Sequence, residues 1–350
     1  MVNYRILKHK TRYWAGILFA QILLFYLLSK TNFGVELANN IFEIKKNYHQ
    51  SLFSKFPFSV GDAIYIFLIS YLLFCLFKMI KKISRKKYLI KILIIVNIFY
   101  FLYQIFWGLL YFQKPIIEKL PSKNITEETV KKAVIKYVYE CNNTRKKVAE
   151  NKNGVFILKN IYDTKNDVLK GQKKIPKLFL NKKYTLIDNF KPTLFGKYFN
   201  YTGILGYYNP FTSEAQFNSN LPSAYLPFTL AHESAHQLGI AKEQEANFIA
   251  YLICKQSKNP ELQYSANLYI LKSLLNSLLE KDPEFVRQTK LLLSDGVKRD
   301  LEYNKVFFEK HQTWVNNLFY YTNDLFLKSN QQDGSITYSY FVELLLRYEN

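Results

Sequence analysis

Three apolar runs dominate the first third of the chain. Residues 14–29 read WAGILFAQILLFYLLS, a second run extends from about Val60 to Phe77, and a third from Tyr88 to Phe112. None carries the polar stripe of a helix with one face in water, and each comes close to the roughly 20 residues that cross a bilayer as a helix. The pattern predicts three membrane spans within residues 1–113. Further on, apolar positions recur at helical spacing. A helix is expected over 126–150, with Thr126 as its cap and Glu127 and Glu128 in its first turn. Others are expected over 262–281, 283–293, 297–328 with breaks, and 335–348, punctuated by Pro283, Gly296 and Gly334. Residues 203–218, GILGYYNPFTSEAQFN, read as extended chain with a turn at Asn209-Pro210, and residues 330–334 as a polar turn. The lysine-rich stretch 151–200 is broken by Asn, Gly and Pro and predicts no definite element. The expected fold is mostly α: three N-terminal transmembrane helices in 1–113, then over 114–350 an α+β domain with a small sheet and a helical C-terminal part.

Charge sharpens the membrane assignment. Of the net +21, residues 1–113 contribute 15 Lys/Arg against 3 Asp/Glu, and residues 114–350 contribute 33 against 24. The first tail holds Arg5, Lys8, Lys10 and Arg12, and the loop between the second and third runs holds Lys78, Lys81, Lys82, Arg85, Lys86, Lys87 and Lys91, both without an acid. The loop over 30–59 is mixed, with Lys30, Lys45, Lys46 and Lys55 against Glu36 and Glu43. The positive-inside rule then places the tail and the second loop in the cytoplasm, and everything beyond Phe112 outside it, in the periplasm of a Gram-negative cell. No small-x-small site follows the first run closely, so it reads as an uncleaved anchor in the inner membrane. The bilayer is thus an expected partner. No basic and aromatic stretch matches a nucleic-acid module, so nucleic acid is not.

Other polar positions in this region say less. Asp62 is expected to cap its helix at the interface, and three spans with so little intramembrane charge argue against a transporter. Cys75 falls in a span, and Cys141 and Cys254 are expected as two buried thiols. Asn124, Asn142 and Asn200 head sequons that matter only in a glycosylating cell.

The chemistry lies in Leu230-Ala231-His232-Glu233-Ser234-Ala235-His236-Gln237-Leu238-Gly239, which contains His-Glu-x-x-His. Four residues apart on a helix, the two imidazoles leave the same side and can hold one ion. Glu233, roughly 100° around, can act as general base on a water near that ion. Pro227 suits the start of this helix and Gly239 its end. Zinc needs a third protein ligand if one position is to stay open for water. The nearby candidates are Glu243 and Glu245, about 200° apart on a following helix, so only one can face the ion. Glu243 shares its side with Ala246, Asn247, Ala250 and Cys254, a narrow face that can approach Ala231, Ser234 and Ala235. Glu245 shares its side with Ile249 and Leu252, which look like core. Glu243 is therefore the expected ligand, Glu245 the alternative, and Asn247 the partner of a ligand histidine. Tyr207, Tyr208 and Tyr225 are candidate donors to an oxyanion, Tyr208 foremost. The extended stretch before the motif can supply an edge strand that aligns a peptide by strand addition.

Several blocks together resemble the Bacteroidota membrane-protein family known as domain of unknown function 3810. They are Gly61-Asp62, Trp107-Gly108, Gly206-Tyr207-Tyr208-Asn209-Pro210-Phe211-Thr212-Ser213-Glu214-Ala215, the stretch from Leu226-Pro227-Phe228 to Tyr251-Leu252, and Asn323 to Asn330 followed by Asp333-Gly334. The resemblance implies three spans and an outward zincin-like domain, without a substrate. The spacing Glu243-x-x-Ala246-Asn247 is also similar to zinc peptidases in which that glutamate binds the metal, although the gap from His236 to Glu243 is shorter than in most. The function expected is a membrane-anchored zinc metallopeptidase acting on a peptide or protein in the cell envelope. The alternative is a non-catalytic, zinc-stabilised envelope module for interaction or sensing.

Overall fold

A computed structural model of the chain describes residues 2–180, 182–329 and 340–349. The polar turn expected over 330–334 lies outside the described residues. The chain forms two compact units, the first comprising residues 1–113 with 209–213, and the second 114–208 with 214–350.

The first unit is helical: α1 (Val2–Ser29), α2 (Asn32–Phe53), α3 (Val60–Met79) and α4 (Arg85–Phe106), followed by a 3-10 turn over Gly108–Phe112. Stretches of three helices, His9–Ser29, Val60–Met79 and Arg85–Lys119, are long and apolar enough to cross a membrane. The spans start or end a few residues from their expected limits, and α1 runs back through the basic tail. α1 and α4 pack through Phe25, whose ring meets Tyr100 and Phe101 edge-on at 6.0 and 5.5 Å, and Asn97 Nδ2 donates to Trp14 O at 3.1 Å.

α2 was not expected, since its segment reads as a mixed loop. Thr31 caps it, accepting from Gly34 N at 3.1 Å. Its buried stripe is Gly34, Ala38, Phe42, Lys45, Lys46 and Gln50. Spacing makes this a helix, but its second half is polar, which hid it from a hydrophobic pattern. Gly34 admits the turn from α1, because a Cβ there would lie 2.3 Å from Leu28 O. A second correction concerns Asp62. The cap of α3 is Ser59, which accepts from Asp62 N at 3.1 Å, while Asp62 sits buried in the first turn.

The second unit surrounds a continuous apolar core that includes Val134, Leu230, Phe248, Leu252, Leu262 and Phe341. Its elements are α5 (Glu127–Arg145), α6 (Ile161–Gln172), β1 (Phe190–Pro192), α7 (Gly196–Phe199), β2 (Gly206–Asn209), β3 (Glu214–Phe217), α8 (Leu226–Gln237), α9 (Glu243–Lys255), α10 (Pro260–Leu278), α11 (Pro283–Leu291), α12 (Asp295–Lys310), α13 (Trp314–Ser329) and α14 (Tyr340–Glu349). The sheet has the order β1-β3-β2, with β1 parallel to β3 and Phe190 opposite Ala215. Thr126 caps α5 as expected, accepting from Thr129 N. The helical stretch expected over 297–328 with breaks forms two helices, α12 and α13. The C-terminal helix is pinned by Glu349, which accepts from Tyr137 Oη at 2.8 Å and Tyr251 Oη at 2.6 Å. Cys75, Cys141 and Cys254 are buried free thiols.

Candidate metal centre

The two helices that carry the site are positioned by a tight reversal. α8 opens with Pro227 in its first turn, where the missing N–H costs nothing. It ends before Gly239, whose φ of 81° lies in the left-handed region that glycine enters without strain. Ile240 N returns to Ala235 O and Gly239 N to His236 O, so the chain doubles back at once. α9 then runs against α8. Ala231, Ala235, Ala246 and Ala250 are all buried, and such small side chains let two helix backbones approach.

This approach brings His232, His236 and Glu243 together, with ligand-type atoms all within 4.8 Å of one another. Glu243 Oε2 is 3.2 Å from His232 Nε2, and Glu243 Oε1 is 3.7 Å from His236 Nε2. The two Nε2 atoms are 3.1 Å apart. The other nitrogen of each ring is engaged: His236 Nδ1 with Ile240 O at 2.6 Å, and His232 Nδ1 with Asn247 Oδ1 at 2.8 Å. A carbonyl oxygen can only accept, so both Nδ1 atoms carry hydrogen. In the neutral rings both Nε2 lone pairs then point at one place, beside a carboxylate. Three acceptors converging on one point repel each other unless positive charge lies between them, which either a proton on His232 or a bound cation supplies. The donor set therefore fits a divalent cation such as zinc, with two imidazoles and one carboxylate, each histidine oriented by a partner behind it.

The local electrostatics follow from the same contacts. Burial alone would lower His232, but the hydrogen bond and charge of Glu243, with smaller help from Glu233 and Asn247, push it up to about 9. His236 goes the other way, to about 4, because burial and the neighbouring His232 outweigh Glu243 and the bond to Ile240. Glu243 is buried, which would raise it, yet the two histidines hold it below the usual carboxylate range.

Glu233 stands apart from the three. It is 3% exposed, its Oε2 has no hydrogen-bond partner, and burial pushes it up to about 8, with Glu243 adding and His232 opposing. Gly206 of β2 lies against it, since a Cβ on Gly206 would fall 2.8 Å from Glu233 Oε1 and 2.7 Å from Gln216 O. β2 is an edge strand. Tyr208, two residues on, is buried and shares Gly206's face of the strand. Tyr207 packs on Phe199 at 5.7 Å, and Tyr225 accepts from Lys272 and packs on Phe308 at 5.0 Å.

Glu245, the alternative ligand, is not part of the cluster. Its Oε1 accepts from Ile116 N at 2.8 Å, on another side of α9. Three features escape a reading of the sequence. One is the Ile240 carbonyl, a backbone group with no signature. Another is Gly206, whose role is a missing side chain. The third is Tyr269, stacked on Phe228 at 4.1 Å and raised above its usual pKa by burial and, less, by the Glu243 charge. Nothing in the sequence separates it from the other tyrosines.

A family model described as Protein of unknown function (DUF3810) matches residues 37–346. Neither a curated protein nor a solved structure matches the chain. The chain belongs to the DUF3810 family.

Proposed function

We propose that this DUF3810 member is a membrane-anchored zinc metallopeptidase that hydrolyses a peptide or envelope amide bond outside the cytoplasmic membrane. His232, His236 and Glu243 are its ligands and Glu233 its general base. The observation that carries this reading is the convergence of three acceptor atoms within 4.8 Å, with an unpartnered carboxylate oxygen one residue along the same helix. A purely structural site has no use for such a base.

His232, His236 and Glu243 would hold the zinc, which when bound would supply Lewis acidity and lower the pKa of water. The chain's own residues do the rest. Asn247 and Ile240 engage the two Nδ1 atoms and fix the tautomers, which leaves both Nε2 lone pairs available to a metal. Glu233 accepts the proton of the attacking water at Oε2 and returns it to the departing amine. Burial of Glu233 keeps bulk water from competing for that proton. Tyr208 is the candidate donor to the oxyanion, from the same strand face as Gly206.

The proposed topology puts the N-terminal tail and the Lys78–Lys91 loop in the cytoplasm, with the site-bearing unit in the periplasm. It is supported by the basic, acid-free character of those two segments.

The test compares purified full-length wild type with Glu233→Gln, using a quenched fluorescent peptide library as probe. Both should retain zinc, and the variant should lose cleavage by about 10²- to 10⁴-fold. A variant that cleaves as fast as wild type overturns the mechanism. Zinc in both with cleavage by neither points to the non-catalytic envelope module instead.

A further inference from the structure

The segment Asn209-Pro210-Phe211-Thr212-Ser213 belongs to the first unit, although the strands on either side of it belong mainly to the second. It is a built turn. Asn209 Oδ1 accepts from Phe211 N at 2.9 Å and Thr212 N at 3.3 Å. Ser213 N closes on Asn209 O at 2.8 Å, with Ser213 held at a φ of 54°, a conformation a serine adopts only when its surroundings enforce it.

Residues of the first unit grip this turn. Lys45 is 6% exposed and donates from Nζ to Pro210 O at 2.6 Å. Its ammonium group lies over the rings of Phe42 and Phe106, 5.2 and 4.8 Å from their centroids. Phe211 meets Phe99 of α4 edge-on at 5.3 Å and Tyr65 of α3 at 6.4 Å. A buried lysine that donates to a backbone carbonyl and lies over aromatic faces is a costly arrangement to retain for a surface loop. Four residues before Pro210 is Gly206, the residue that lies against Glu233.

We infer that Lys45 and Phe211 are positioning residues: they hold the 209–213 turn in the first unit, and through the turn they set the placement of strand β2 beside Glu233. The anchoring stands by itself, while its effect on turnover rests on the metallopeptidase reading above. The most polar of the first unit's four helices, α2, thereby gains a purpose its composition does not suggest. It presents Lys45 to a carbonyl whose strand leads to the site. Lys45 and Phe211 touch no reacting atom.

Full-length protein in detergent micelles tests this, as wild type, Lys45→Met and Phe211→Ala. Amide hydrogen exchange over 206–217 should be about tenfold faster in both variants, with α8 and α9 as protected as before and zinc content unchanged. With the quenched peptide library, kcat should fall by about the same factor while KM holds. Unchanged exchange over 206–217 in both variants overturns the inference. So does equal loss of protection in α8 and α9, because that reports general loosening. Loosened strands with wild-type kcat overturn the positioning role. A wild type that holds no zinc and cleaves nothing sinks the metallopeptidase reading alone, and the exchange comparison still decides whether the turn is anchored.

Discussion

The two units bury opposite things. In the first, Phe67 is 75% exposed, while Lys46, Gln50 and Asp62 are wholly hidden. In the second, Leu230, Phe248 and Leu252 are hidden and most charge is outside, apart from a minority of groups that includes the Arg145–Asp300 pair and the carboxylates and histidines of α8 and α9. The first arrangement suits a surrounding of lipid, the second a surrounding of water. A buried polar group needs a partner in either solvent. Lys46 meets Glu43 at 2.8 Å, and Glu245 meets Ile116 N. Arg145 and Asp300 likewise meet each other, whereas around His232, His236 and Glu243 ligand-type atoms face one another and Glu233 Oε2 has no hydrogen-bond partner. That arrangement is the strongest argument for chemistry there.

The contrast can be broken by substitution. Phe248→Ala, in the core of the second unit, should cost about 3–5 kcal/mol in chemical denaturation of that unit. Equal sensitivity at the outward Phe67 would remove the distinction, since Phe67→Ala should leave stability within about 0.5 kcal/mol. Asn247→Ala should weaken zinc binding about 10- to 100-fold in a chelator competition, because His232 Nδ1 loses its partner. An unchanged affinity would make Asn247 a packing residue. Glu245→Gln should cost no more than about 1 kcal/mol and leave zinc affinity as it was, because the amide oxygen can still accept from Ile116 N. A loss of metal there would exchange the roles of the two glutamates.

Much of the site was legible because helix geometry is local. The four-residue spacing of His232 and His236, the narrow face of Glu243, Ala246 and Ala250, and the core-like neighbours of Glu245 all follow from 3.6 residues per turn. The Asn247 contact to His232 follows from the same periodicity. What was missed depends on distant chain. α2 was hidden because its buried stripe ends in Lys45, Lys46 and Gln50, and the Lys45 ammonium finds its carbonyl at Pro210, far along the sequence. β1 spans three residues and exists only by pairing with β3. Gly206 matters through what it lacks, and Ile240 through its backbone oxygen. The three apolar runs were plain from composition, but their ends moved because helices continue into basic flanks that a hydropathy window excludes.

Metal content tests the central claim most directly. Elemental analysis of purified full-length protein should find about one zinc per chain in wild type and in Glu245→Gln, with the metal lost in His232→Ala and in Glu243→Ala. A wild type without zinc after zinc loading, or a Glu243→Ala variant that keeps its full complement, would contradict the account.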